Sequence, residues 1–292
     1  MIVGGSGFLG KNLIDKLKFL NFIIYSVSRK IPKVKDHKVI YYKVDISKEE
    51  DLKKIKKINF NYVINFGGNI DHKKYKETNE AHFIGTKKLL KAINLNYLNL
   101  FIQIGSSLEY GNRNSPQSEK AQPKPTSIYG KAKLKASNFL NSFCKKNRIK
   151  FIILRPYQIY GPYQKFDRLI PQVIKSCLVN KKFDCTNGNQ LRDFLYVDDF
   201  INLILKIIQK TKINSGIYNV GYGKPKKVNF VIKKINNLIK KGHPNFGKIK
   251  MRKDEIMCLY PNINKVKKNF KWSPKIKLVQ GLKKTLNFYK NV

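Results

Sequence analysis

Gly4-Gly5-Ser6-Gly7-Phe8-Leu9-Gly10 is the stretch on which the reading of this chain turns. It follows the apolar Met1-Ile2-Val3 and opens an amphipathic run from Phe8 to Leu20, so the glycines sit where a strand hands over to a helix. Glycine lets the backbone turn tightly and approach a phosphate closely, while a helix start offers N–H groups and a partial positive charge. A bare glycine motif suits any tight turn, but one opening a strand, helix, strand unit predicts a dinucleotide pyrophosphate site at Gly4, Gly7, Phe8, Leu9 and Gly10. The first strand is short, Met1 to Val3, which points either to a misplaced start or to a short central strand.

Outward from this loop, apolar runs alternate with amphipathic ones: Phe22 to Val27, a helix around Leu52, Tyr62 to Phe66, a helix from Phe83 to Ile93, Leu98 to Ile104. A long helix is expected from Ser127 past Phe139, then the strand Phe151 to Leu154. Such alternation argues for an α/β protein with a parallel sheet covered on both faces. The Pro/Gly/Tyr-rich stretch from Arg155 to Pro162 breaks the regularity and marks a boundary. Beyond it lie a helix from Leu169 to Val179, a strand near Phe194 to Val197, a helix from Phe200 to Gln209, and helices near Val228 to Ile239 and Val279 to Tyr289.

The second strand should end near Ser28, 24 residues past Gly4, where an acid would receive the adenosine ribose of NAD. Ser28-Arg29-Lys30 stands there instead. Without a carboxylate to repel a 2′-phosphate, and with Arg29 to clamp one, NADP(H) is favoured and NAD(H) is the alternative; the plainer reading is an exposed Arg29. Asp45 follows the strand Val39 to Tyr42, where it suits either the adenine amine or a turn.

The 292 residues carry 60 Lys+Arg against 18 Asp+Glu, a formal charge of +42. That excess invites a nucleic-acid partner. It is spread through nearly every segment, however, and only seven of the cations are arginine. We read a lysine-coated enzyme with no specific nucleic-acid partner. The arginines then mark places that want a planar, bidentate donor for phosphate or carboxylate. Cys144, Cys177, Cys185 and Cys258 show neither paired spacing nor nearby histidines, so reduced thiols and no metal site are expected. The chain contains no apolar run of about 18 residues and no leader-like N-terminus. A cytoplasmic protein without a membrane partner is the expectation.

Ser127-Ile128-Tyr129-Gly130-Lys131-Ala132-Lys133 places a phenol and an ammonium four residues apart, on one helix face. A free tyrosine, with a pKa of about 10, is a poor base, and a neighbouring Lys⁺ favours its phenolate. Ser106 follows the strand ending at Ile104, at the carboxyl edge where open parallel sheets bind ligands.

With these blocks the chain resembles the extended short-chain dehydrogenases/reductases of the nucleotide-sugar epimerase/dehydratase/reductase group, over essentially its whole length. Gly4 to Gly10, Val63 to Gly68, Gly85-Thr86, Ser106 to Gly111, Tyr129 with Lys133, Arg155-Pro156, Tyr160 to Pro162, Arg192 to Asp199 and Tyr218 to Gly221 carry the likeness. The resemblance implies a Rossmann-like doubly wound parallel sheet with a smaller C-terminal substrate-binding lobe. Residues 1–161 plus about 193–220 would bind NAD(P), and about 162–192 plus 221–292 the nucleotide sugar. It implies Tyr129 as acid/base, Lys133 holding the nicotinamide ribose, and Ser106 bonded to the reacting oxygen. Ile46, Phe66, Gly67, Gly68 and Pro156 join the cofactor site by position, and Ser107, Leu169, Arg192 and Arg252 the substrate site. A homodimer is expected.

Departures narrow the chemistry. Sugar 4,6-dehydratases place an acid and a base directly after the active-site Ser/Thr, whereas here Ser107 and Leu108 follow, with Glu109 expected on the other side of an extended chain. A 3,5-epimerase/reductase would want a cysteine near Leu108. What remains is redox chemistry at C4: a 4-ketoreductase consuming NADPH, favoured by Ser28-Arg29, or a 4-epimerase recycling tightly held NAD. His82 stands where many members carry asparagine, and packing is its favoured role over cofactor contact. A non-catalytic NADP-binding sensor is the reading from another class, and the Tyr129, Lys133 and Ser106 set argues against it.

Overall fold

The computed structural model describes residues 1–68, 74–252 and 254–291. In chain order its first elements are β1 (Ile2–Val3), α1 (Phe8–Leu17), β2 (Ile24–Ser28), β3 (Val39–Lys43), α2 (Glu49–Leu52), β4 (Tyr62–Asn65), α3 (Tyr75–Asn79), a π-helical turn (Glu80–Ile84), α4 (Gly85–Ala92), β5 (Leu100–Ile104) and a 3-10 turn (Ser107–Glu109). Then come α5 (Ile128–Lys146), β6 (Phe151–Pro156), β7 (Gln158–Tyr160), α6 (Leu169–Leu178), β8 (Lys182–Asp184), β9 (Leu191–Arg192), β10 (Phe194–Tyr196), α7 (Val197–Ile208) and β11 (Gly216–Val220). The last are β12 (Lys226–Lys227), α8 (Val228–Ile239), β13 (His243–Asn245), β14 (Cys258–Leu259), α9 (Asn264–Phe270) and α10 (Leu278–Lys290).

Two compact units result: residues 1–113, 119–156 and 204–219 form the first, and 114–118, 157–203 and 220–292 the second. The first is built on a seven-stranded sheet in the order β3-β2-β1-β4-β5-β6-β11. β1 pairs in parallel with both β2 and β4, so the strand order reverses at the strand that feeds the glycine loop, the position where open α/β sheets bind ligands. β1, as described, spans two residues at the centre of this sheet. Val3, Val27, Val63, Leu89, Phe101, Leu140 and Phe151 meet in one core, and every residue of β5 is buried, as expected of a strand covered on both faces.

The helix expected from Phe83 begins earlier, at Tyr75, and passes through the π turn. Residues 75–82 are mostly polar; only Thr78 and His82, one turn apart, are buried, too sparse a stripe to announce a helix.

In the second unit α6 packs on α8 and α10, and short ladders join β10 to β7, β12 to β9 to β14, and β13 to β8. Residues 157–161 and 193–203, which the sequence reading places in the cofactor unit, belong here by contact. The reason is that β7 and β10 pair with each other, Ile159 opposite Leu195, instead of extending the large sheet. Residues 114–118 belong here too, since Gln117 N–H donates to the Tyr260 carbonyl at 2.9 Å and its own carbonyl accepts from Asn262 N–H at 2.8 Å. Among the described residues no helix is long and apolar enough to cross a membrane.

Candidate active site

The glycine loop is held from both ends. Gly7 N–H donates to the Gly4 carbonyl at 2.9 Å, and Ser6 N–H to Ser28 Oγ, at the end of β2, at 3.1 Å. Gly7 caps α1 without a side chain, and the first turn, Phe8-Leu9-Gly10-Lys11, holds no acid. A helix start with neither a capping oxygen nor a carboxylate suits a pyrophosphate; the loop fits the dinucleotide expected of it. Ser28 is buried while Arg29 beside it is exposed, so Ser28 steadies the loop and Arg29 faces solvent. One carboxylate oxygen of Asp45 accepts Ser47 N–H at 2.9 Å and Ser47 Oγ–H at 2.7 Å, which is the turn role. The half-buried Phe66 and Gly67 leave β4 by hydrogen bonds to Val3 O at 3.0 Å and Asn65 Oδ1 at 2.9 Å. Gly68 follows them, Ile46 is buried, and Pro156 ends β6.

Helix α5 starts where Ser127 Oγ accepts Gly130 N–H at 3.0 Å. Its buried stripe reads Ala132, Lys133, Ala136, Ser137, Leu140, Cys144, so small side chains bring it close to the sheet and one lysine lies among them. Lys133 is 4% exposed. Its Nζ donates to the Ile104 carbonyl at 2.8 Å and lies 5.7 Å from the centre of the Tyr129 ring. Burial pushes this ammonium down to about 8, and Glu109 partly offsets the effect. Tyr129 is half-buried and meets the His82 ring edge-to-face, centroids 5.0 Å apart. The buried ring packing favoured for His82 is therefore in place.

Ser106 caps the 3-10 turn. Its Oγ accepts Leu108 N–H at 3.2 Å, which leaves the hydroxyl hydrogen to donate. The turn alters one expectation: residues 107–109 are not extended, and Glu109 folds back beneath Ser106. Glu109 Oε1 accepts Ser106 N–H at 2.8 Å, and Oε2 accepts Arg155 Nε–H at 2.9 Å. Ser107, the first residue of the turn, is buried.

In the second unit Leu169 opens α6, half-buried. Arg192 on β9 is buried, donates through Nη1 to the Leu191 carbonyl at 2.8 Å, and pairs through Nη2 with Glu255. Burial lowers the guanidinium from its usual value and Glu255 partly restores it. Arg252 is exposed, and its carbonyl accepts Glu255 N–H at 3.2 Å, so Glu255 touches both arginines expected to grip phosphate.

Sequence reasoning missed a buried polar network. Asn65 Nδ2 donates to Gln103 Oε1 at 2.9 Å and to Thr86 Oγ1 at 3.2 Å, and Thr86 Oγ1–H donates to the His82 carbonyl at 2.8 Å. The available signal was an amide in each of two otherwise apolar strands, since buried polar groups imply partners. The partners of Glu109 and of Arg192 were missed as well.

Comparison with known proteins bears on the family and the fold. The family model described as NAD dependent epimerase/dehydratase family matches residues 1–221. CDP-abequose synthase of Salmonella muenchen is 37% identical over 142 residues, 47% of this chain and 47% of that protein. The chain thus spans about half the length of that relative. Human dTDP-D-glucose 4,6-dehydratase is 28% identical over 214 residues, 70% of this chain and 61% of its own length. Among solved structures, UDP-glucose 4-epimerase from Thermotoga maritima with UDP-glucose superposes with a TM-score of 0.92 at 24% identity, covering 99% of this chain and 98% of that one. At that identity the likeness speaks for the fold.

Proposed function

This chain belongs to the NAD dependent epimerase/dehydratase family, and from that premise we propose that it is a nucleotide-sugar oxidoreductase acting at C4, a 4-ketoreductase of a nucleotide-activated deoxysugar that uses NADP(H). The observation that carries the reading is Lys133: a cation 4% exposed, on the Tyr129 face of α5, bonded to the carbonyl that ends β5. When bound, the nicotinamide supplies the hydride. Tyr129 donates its phenol proton to the sugar O4 as that oxygen gains charge. Lys133 stabilises the resulting negative charge and holds the nicotinamide ribose. Ser106 donates its hydroxyl hydrogen to the same sugar oxygen. Arg192 and Arg252 take the substrate diphosphate.

Ser28-Arg29 supports reduction with NADPH, because no carboxylate there repels a 2′-phosphate. The second reading is a 4-epimerase that recycles bound NAD, in which Tyr129 first removes the O4 proton and later returns it. Membership of a family described by its epimerases as well as its dehydratases supports it. Dehydration is disfavoured, because Glu109 is engaged by Arg155 and Ser106 and the residues between are Ser107 and Leu108. The test is a panel of nucleotide 4-keto-sugars and nucleotide hexoses, followed at the nicotinamide absorbance. Stoichiometric loss of NADPH supports the reductase, and interconverted hexoses without net oxidation support the epimerase. A protein that binds the dinucleotide but turns over nothing in the panel, at any pH, is a sensor.

A further inference from the structure

Glu109 and Arg155 are the most deeply buried ion pair among the described residues, with side chains 0% and 1% exposed. Arg155 Nη2 adds a 2.7 Å ion contact to the Nε bond, and the guanidinium lies 4.4 Å from the centre of the Tyr110 ring. The phenol of Tyr110 donates to Asn219 Oδ1 at 2.8 Å, which fixes the ring and so the arginine. A pair wholly out of water is a weak stabilising device, because desolvation consumes most of the Coulomb attraction. Its effect here is geometric and electrostatic.

The carboxylate sits directly beneath the Ser106 loop. A Cβ on Gly105 would stand 2.4 Å from Glu109 Oε1, so only glycine leaves room for the oxygen that receives Ser106 N–H. Ser106 is therefore held at both its backbone, by Glu109, and its hydroxyl, by Leu108 N–H. We propose that Glu109, locked by Arg155, is a positioning residue: it fixes Ser106 for hydrogen bonding to the reacting oxygen, and its carboxylate, packed under Gly105 next to the Ile104 carbonyl that receives Lys133 Nζ, bears on the Lys133 charge. This rests on the reading of Tyr129, Lys133 and Ser106 given above.

Charged and titratable groups on the elements near Lys133 are placed as follows among the described residues. Tyr129 is on its own helix, Glu109 comes from the 3-10 turn and Arg155 from β6, while His82 reaches the Tyr129 ring from the π turn. Tyr75 of α3 accepts from Lys135 and Lys87 of α4 lies over Phe139. Among the described residues Glu109 acts in favour of the Lys133 charge, against burial. Neutralising it removes that support and leaves the Arg155 cation uncompensated, and both changes oppose protonation of Lys133.

The test reads Lys133 directly. Trace acetylation of the folded protein across pH 6 to 10, with the Lys133 peptide quantified by mass spectrometry, gives the midpoint of its amine without substrate or cofactor. In Glu109→Gln the midpoint should fall by about one pH unit or more with the melting transition still cooperative; an unmoved midpoint overturns the electrostatic half of the proposal. Glu109→Asp keeps the charge but is a methylene too short for Ser106 N–H. It should hold the midpoint and lower kcat about tenfold or more with KM little changed, and an undiminished kcat overturns the positioning half. Should Glu109→Gln fail to fold, Glu109→Asp decides, a midpoint that falls there also counting against the field. Tyr129→Phe run in parallel separates the two levels: full turnover in that variant sinks the reading of Tyr129, while the Lys133 midpoint judges Glu109 independently.

Discussion

Gly130 approaches the Leu108 carbonyl so closely that a Cβ on Gly130 would stand 2.4 Å from that oxygen and 3.1 Å from its carbon. This contact joins the first turn of α5, which carries Tyr129, to the 3-10 turn, which carries Ser106 and Ser107. The packing of the Tyr129 turn against the turn that Ser106 caps therefore depends on the absence of one methyl group.

Gly130→Ala tests that packing. Alanine improves helix propensity by about 1 kcal/mol, but overpacking against a backbone oxygen costs about 1–3 kcal/mol, so the variant should be destabilised by roughly 1 kcal/mol at net. Turnover should fall further than stability accounts for, since a misplacement of about 1 Å costs on the order of a hundredfold. Denaturant midpoints and kcat on one preparation decide, and a stabilised variant with full activity refutes the contact's role.

Tyr129→Phe should abolish turnover while reduced dinucleotide binding, followed by fluorescence, stays within about twofold. General acid–base catalysis contributes on the order of 10²–10⁴-fold, so residual activity near wild type removes Tyr129 as the proton donor.

The Lys133 ammonium, lowered from 10.5 to about 8 by burial, has a pH consequence with a definite sign. A base whose folded value is depressed carries its full penalty below about 8, and the penalty fades as pH rises toward 10.5, the unfolded value. Lys133→Met, which has no such penalty, should be more stable than wild type at pH 7, with the gap closing between pH 8 and 10.5. A gap constant with pH, measured by urea unfolding, contradicts a buried charge at this site.

Glu255 occupies the guanidinium of Arg192, so a diphosphate reaching that arginine must displace a carboxylate. Glu255→Gln should bind UDP, CDP or dTDP several-fold more tightly, and Arg192→Ala about tenfold or more weakly. Calorimetric titration checks both. Weaker binding in Glu255→Gln would show that Glu255 presents the arginine instead of competing for it.

Arg29→Ala should weaken NADPH binding about tenfold and leave NADH binding unchanged, since in the proposed site the guanidinium grips the 2′-phosphate that NADH lacks. Tighter binding of NADH than NADPH by the wild type would remove the argument from Ser28-Arg29.

Local chemistry was legible. The glycine loop, the helix start at Ser127 and α8, expected near Val228 to Ile239 and found there, need only neighbouring residues to specify them, through turn geometry and a 3.6-residue apolar period. The Tyr129 and Lys133 pairing was legible for the same reason, since four residues on a helix share a face whatever surrounds it.

Tertiary structure decided what depends on distant partners. Glu109 and Arg155 are 46 residues apart, and Arg192 and Glu255 63 apart; no periodicity announces either pair. Nor could the sequence say that β7 and β10 pair apart from the large sheet, or that the chain after Ser106 turns instead of extending. A strand's neighbours and a buried charge's counterion are settled by which surfaces exclude water together, and that is a property of the folded chain as a whole. The sequence determined the glycine loop, the α/β alternation and the placing of Tyr129 and Lys133 on one helix face. The fold decided what holds Ser106 in place, what shares Lys133's charge, and what stands on Arg192 before a substrate arrives.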